Sequence, residues 1–96
     1  MCGAHFDGYA SNAATTVVVG STPATGRKAD VVLAAWNAFQ AAQRKIAEAA
    51  TNNEVSEVIQ KVAEQFQCNA IEGVLSHKVK RHIIDGNDTI INRMAV

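Results

Sequence analysis

Two consecutive stretches of helical periodicity, joined by a break of a few residues, constrain this chain more than any other feature. From about Gly26 to Ala50, the residues Val32, Ala35, Trp36, Phe39, Ala42, Ile46 and Ala49 recur on one stripe, which is the spacing of an amphipathic helix. Thr25 or Gly26 is the expected N-cap, and Thr51-Asn52-Asn53 the stop. Asn53 then caps a second helix with Glu54 and Glu57 in its first turn, where the helix dipole favours acids. Its stripe is Val55, Val58, Ile59, Val62, Ala63 and Phe66. A short connection makes two such helices antiparallel neighbours. Trp36 and Phe39 are expected in the core or between the helices, and the many alanines suit close helix approach. Two apolar stripes need a sheet to lie on.

The sheet is sparser. Gly3-Ala4-His5-Phe6 and a run from Tyr9 to Val19 flank Asp7-Gly8, a strong hairpin signal because a type I′ turn wants positive φ at both central positions. The second run ends in Thr15-Thr16-Val17-Val18-Val19, which is β-prone, before Gly20-Ser21-Thr22-Pro23 breaks it. Beyond Cys68-Asn69 the segment from Ala70 to Lys80 reads as extended or irregular. His82-Ile83-Ile84 reads as a short strand, Asp85-Gly86-Asn87-Asp88 as a turn, and Thr89-Ile90-Ile91 as one more strand. The fold class is α+β: a β-hairpin, then two antiparallel helices packed on a sheet. Residues 1–96 form one unit at most, and its thin core reads as part of a larger domain.

Charge excludes some functions. Nine Lys and Arg balance nine Asp and Glu, so the surface as a whole is no nucleic-acid magnet. A local basic patch is still available. Lys78, Lys80, Arg81 and His82 form the one dense cluster, and Arg27 with Lys28 a smaller one. Such a cluster contacts phosphates without reading sequence, or is simply a solvated surface. Cys2 and Cys68 are the two cysteines. No hydrophobic signal segment precedes them, so free thiols in a reducing compartment are expected. The longest apolar helix is interrupted by Asp30, Arg44, Lys45 and Glu48, so no membrane span is expected.

The histidines do not make a metal site by themselves. His77 and His82 are five apart, on opposite faces of a strand or well apart around a helix. His5 reads as a hairpin surface residue. On an alternating strand Ala10, Asn12, Ala14 and Thr16 share a face. Small residues around one amide form either the floor of a cavity or a polar edge facing solvent.

At His5 to Thr16 (HFDGYASNAATT), Gly26 to Val32 (GRKADVV) and Phe66 to Ile91 (FQCNAIEGVLSHKVKRHIIDGNDTII) the chain resembles the methionine aminopeptidase, or pita-bread, superfamily. Within it, the chain is most similar to the proliferation-associated (ErbB-receptor-binding) branch, whose members lack peptidase activity. The run Ile71-Glu72-Gly73-Val74-Leu75-Ser76-His77 is the most specific part, with Ser76 where the active enzymes have Gly. The resemblance covers Met1 to Ile91 and implies part of a pita-bread fold.

It also implies where the metal ligands of the enzymes fall. The first bridging aspartate falls at or just before Met1, the second on Asn12 and the ligand histidine on His77. The two ligand glutamates fall beyond Val96, and a substrate-contacting histidine falls on Asp85. A bridging carboxylate offers an oxygen to each of two cations and offsets their repulsion. Asn12 is neutral and has one coordinating oxygen, and a Met1 thioether is a poor ligand for hard cations. The expectation is therefore a pseudoenzyme with no cofactor: a growth-regulatory factor binding ribosomal or other RNA and the large ribosomal subunit. Protein partners, and a cytoplasmic and nucleolar location, go with that branch. The basic residues Lys78, Lys80, Arg81, Arg27 and Lys28 are the candidates for RNA contact. The alternative is a methionyl aminopeptidase, or a piece of one, with two divalent cations, manganese or cobalt.

Overall fold

The computed structural model describes residues 1–46 and 51–93. The order is β1 (Cys2–Phe6), β2 (Tyr9–Ala13), α1 (Arg27–Lys45), α2 (Asn52–Gln65), β3 (Leu75–His77) and β4 (Thr89–Ile91). The chain is α+β, with its strands in two separate antiparallel pairs, β1–β2 and β3–β4.

The first hairpin forms as its sequence dictates. Cys2 pairs with Ala13 and Phe6 with Tyr9, closing directly over Asp7 and Gly8, whose φ angles are 54° and 86°. Positive φ at both positions is the type I′ geometry. The His5 ring Nδ1 accepts the Gly8 N–H at 3.2 Å, so His5 supports the turn. The β run stops short of its expected end: β2 terminates at Ala13, and Val17 and Val19 are exposed outside any strand. Three valines have β propensity, but among the described residues no neighbouring strand offers them a ladder. Ala14 and Thr16 are therefore not on the strand face that carries Asn12.

Helix α1 starts behind Gly26, whose φ of 65° makes it the N-cap without a side-chain bond. The helix ends at Lys45; the expected extension to Ala50, with Ala49 on the stripe, falls on residues outside those described. Its buried residue is Ala34, which the apolar stripe did not include. Trp36 and Phe39 are each 59% exposed and touch one another, with ring centroids 6.4 Å apart. Their assignment to the core is thus corrected: the small alanine face of α1 meets α2, because a stripe of methyl groups allows the closer approach. Both large rings stay more than half exposed, and Phe39 borders the groove that Ile59 of α2 also lines.

Helix α2 is capped by Thr51, not by Asn53. The Thr51 hydroxyl accepts the Glu54 N–H at 3.3 Å, and the Glu54 carboxylate accepts the Thr51 N–H at 3.0 Å. This reciprocal pair is a capping box; Asn53 has Ser56 three residues on, which cannot complete one. At the other end Gln67 sits at φ 57°. Gln67 N–H donates to Glu64 O and Cys68 N–H to Ala63 O, both at 2.9 Å, a Schellman closure with glutamine where glycine is usual. Arg27, from the start of α1, donates to Phe66 O at 3.0 Å and Gln67 O at 2.9 Å. The start of α1 therefore lies against the end of α2, so the helices are antiparallel. The α2 last turn has no basic residue of its own, and Arg27 supplies the cation that helix C-termini favour.

The core is Ala34, Val55 and Ala63, with Ser56 buried beside them at 1% exposure. The Ser56 hydroxyl lies within bonding reach of Asn52 O at 3.0 Å and of Ile91 O, which ties α2 to β4. Strand β4 forms as expected. Its partner is Leu75–His77, inside the segment read as extended or irregular, with Leu75 opposite Ile91 and His77 opposite Thr89. The expected strand at His82-Ile83-Ile84 is instead a tight turn, in which Lys80 bridges to Ile83 and His82 has φ 64°. A residue in the left-handed region cannot continue a strand.

Candidate functional site

Asn12 lies on β2 opposite Gly3 on β1. Its amide folds over that glycine, and a Cβ on Gly3 would meet Asn12 Oδ1 at 2.5 Å. Gly3 is thus the residue that lets the Asn12 amide lie across the ribbon. His77 ends β3, and its ring Nδ1 is 3.2 Å from Gly86 O. A carbonyl only accepts, so Nδ1 carries the proton in this contact, and in the neutral ring Nε2 is then the atom with the lone pair. That is the tautomer a metal-ligating histidine takes when a backbone oxygen orients it.

Among the described residues, no three of His, Cys, Asp and Glu gather where they could hold a metal ion. Asn12 offers a neutral carbonyl oxygen, and a pair of dications needs bridging negative charge. Asp85 is exposed on the connection between β3 and β4. Its neighbour Gly86 is buried, and the Gly86 N–H donates to Lys78 O at 3.1 Å. A Cβ on Gly86 would overlap that carbonyl, so only glycine fits.

The basic candidates separate into two kinds. Arg27 and Arg81 are engaged with the protein's own acceptors. Arg27 holds the α2 terminus and pairs with Asp30 at 3.5 Å. Arg81 donates from Nε to Asp7 O at 2.9 Å and from its terminal nitrogen to the Asp7 carboxylate at 2.8 Å. Its guanidinium also lies 5.5 Å from the Tyr9 ring centroid. Lys28, Lys78 and Lys80 are exposed, and Lys78 reaches Asp88 at 3.7 Å in a pair open to solvent on both sides. Arg81 and Lys80 share one turn with His82, whose N–H donates to Gly8 O at 2.8 Å. The structure thereby joins this basic turn to the tip of the first hairpin, 74 residues away along the chain. Nothing in the sequence pattern announces that contact. Asp7, read as turn chemistry alone, is also the acid that anchors Arg81.

A largely apolar groove of about 450 Å³ runs between α1, α2 and the segment before β3, lined by Ala35, Phe39, Ile59, Cys68, Ile71 and Val74 among others. Cys2 and Cys68 are free thiols, as expected. Among the described residues, no helix is long and apolar enough to cross a membrane.

The sequence profile of metallopeptidase family M24 matches residues 1–93. A curved DNA-binding protein of Schizosaccharomyces pombe is 45% identical over 91 residues, covering 95% of this chain and 24% of that protein. The ERBB-3 binding protein 1 of Arabidopsis thaliana is 43% identical over 90 residues, covering 94% of this chain and 23% of that protein. Proliferation-associated protein A of Dictyostelium discoideum is 42% identical over 94 residues, covering 95% and 24%. The chain therefore spans about a quarter of the length of these relatives.

Proposed function

Because the chain belongs to metallopeptidase family M24, we propose that it is part of a pita-bread domain that has given up peptide cleavage and acts as a binding protein. One observation carries this reading. The position that resembles a bridging aspartate holds Asn12, and an amide cannot supply the negative charge that two cations share. The bound partner is RNA, ribosomal RNA of the large subunit foremost, and the role is growth regulation in the cytoplasm and nucleolus. Relatives carrying the names ERBB-3 binding protein and proliferation-associated protein support the regulatory role. One named for binding curved DNA supports a phosphate-contacting surface. Lys28, Lys78 and Lys80, with the exposed faces of Arg27 and Arg81, are the cations suited to it.

The test uses the full-length protein in two assays. Calorimetric titration with manganese or cobalt is expected to reveal no two-equivalent binding, and a methionine-initiated peptide is expected to stay uncut. Two bound equivalents together with Met release would overturn the reading. In the second assay, Lys78→Ala with Lys80→Ala is expected to weaken RNA binding and flatten its dependence on salt, by nearly one unit of slope for each phosphate no longer neutralised. An unchanged slope would remove these lysines from the interface. The metallopeptidase reading draws on one observation, the Nε2 that His77 leaves free while Nδ1 binds Gly86 O.

A further inference from the structure

Phe6 and Tyr9 flank the Asp7-Gly8 turn and oppose each other in the β1–β2 register, so their side chains lie on the same side of the ribbon. They are 84% and 62% exposed. Two neighbouring rings in water at the end of a two-stranded ribbon add nothing to this chain's core. Their surroundings are electrostatically prepared. Asp7 is the one acid of the hairpin, and Arg81 neutralises it at 2.8 Å. The same guanidinium lies over Tyr9 and extends the planar surface, its charge balanced by Asp7. Lys80 precedes it in the chain and is exposed. The tip is also held firmly: Arg81 Nε bonds Asp7 O, His82 N–H bonds Gly8 O, and His5 Nδ1 accepts the Gly8 N–H.

We infer that this hairpin tip is a stacking platform for an unpaired base of a single-stranded nucleic acid. The base lies on the open ring of Phe6, Tyr9 with its Arg81 forms the flank, and Lys80 meets an adjoining phosphate. Exposed aromatics beside cations are the chemistry that grips single strands without reading sequence. A duplex keeps its base faces inside the stack and has nothing to offer such rings. The inference rests on the reading that this protein binds nucleic acid, and it names the form of strand and the residues that hold the base.

The experiment is fluorescence anisotropy of the full-length protein with a labelled oligouridylate, the matching oligothymidylate and a duplex of the same length. Phe6→Leu keeps an apolar side chain but removes the π-face, and circular dichroism checks that the fold persists. Removing one stacking ring is expected to weaken single-strand binding about tenfold. The salt slope stays unchanged because no charge is removed. Phe6→Trp is expected to retain affinity, and Tyr9→Leu to weaken it. The two single strands separate an RNA from a DNA ligand, and either one supports the platform. Single-strand affinity that is insensitive to Phe6→Leu and Tyr9→Leu, yet falls with Lys78→Ala and Lys80→Ala, overturns the platform while the nucleic-acid reading stands. Failure of the wild-type protein to bind any strand overturns both. Preference for the duplex, or a Phe6→Leu variant that changes only the oligomeric state in sedimentation, also overturns the platform.

Discussion

Gly8 concentrates more of this fold than any other single position. It must adopt φ 86°, and a Cβ there would overlap the His82 ring. Gly8→Ala is expected to cost at least about 2 kcal/mol in urea unfolding, from the left-handed conformation and the clash together. Adding His82→Ala should recover the steric part and leave the conformational part, so partial rescue is the outcome that checks the contact. The need for positive φ was legible in the Asp-Gly pair. The clash was not, because His82 arrives from a distant part of the chain. The same distinction applies to Asn12. Its chemistry is legible as a neutral amide, and in the isolated chain of residues 1–96 Asn12→Asp alone is expected to leave peptide release undetectable, because one carboxylate does not complete a two-metal ligand set. Release of Met by that variant would refute this. What the sequence did not disclose is that the amide lies over Gly3, which depends on strand register.

At the scale of elements, helix α2 was legible from its apolar spacing, but its cap lies two residues before the expected one. Asn53 has cap chemistry, yet Thr51 has Glu54 three residues on, and that reciprocal pair decides the start. Thr51→Ala is expected to lower stability by about 1 kcal/mol, and Asn53→Ala by less; denaturation followed by circular dichroism of the helical signal compares them. Equal effects would mean that the capping box does not set the boundary. Strand propensity misled in two places: His82 is left-handed and turns the chain, and the valines found no ladder among the described residues. Val17 to Val19 and His82 to Ile84 carry β-branched residues, but a strand exists only where a partner offers a ladder. Leu75–His77 gained one in β4, whereas Ile83 has a single bridge to Lys80. The second end of α2 depends on Arg27, 39 and 40 residues away from the carbonyls it binds, an interaction that helix periodicity cannot foretell.

At the largest scale, the core among the described residues is small and the exposed apolar surface large. Ala34, Val55 and Ala63 are buried, while Phe6, Val19, Trp36, Phe39 and Ile71 are more than half exposed. The chain of residues 1–96 is therefore expected to enhance the fluorescence of a hydrophobic dye such as ANS in native buffer; a dye signal no greater than that of a compact control protein would contradict the exposure. Sequence by itself determined the α+β order, the type I′ turn, the two antiparallel helices and the neutral amide at Asn12. These rest on periodicity, on φ preference and on the chemistry of single side chains, all of which are local. Tertiary structure alone decided that Ala34 is the buried residue of α1, that Arg27 closes the end of α2, and that Arg81 and His82 lock onto the Asp7-Gly8 tip. Each of those joins residues far apart in the chain, and is fixed by which surfaces can approach closely and by which carbonyls are left without a donor.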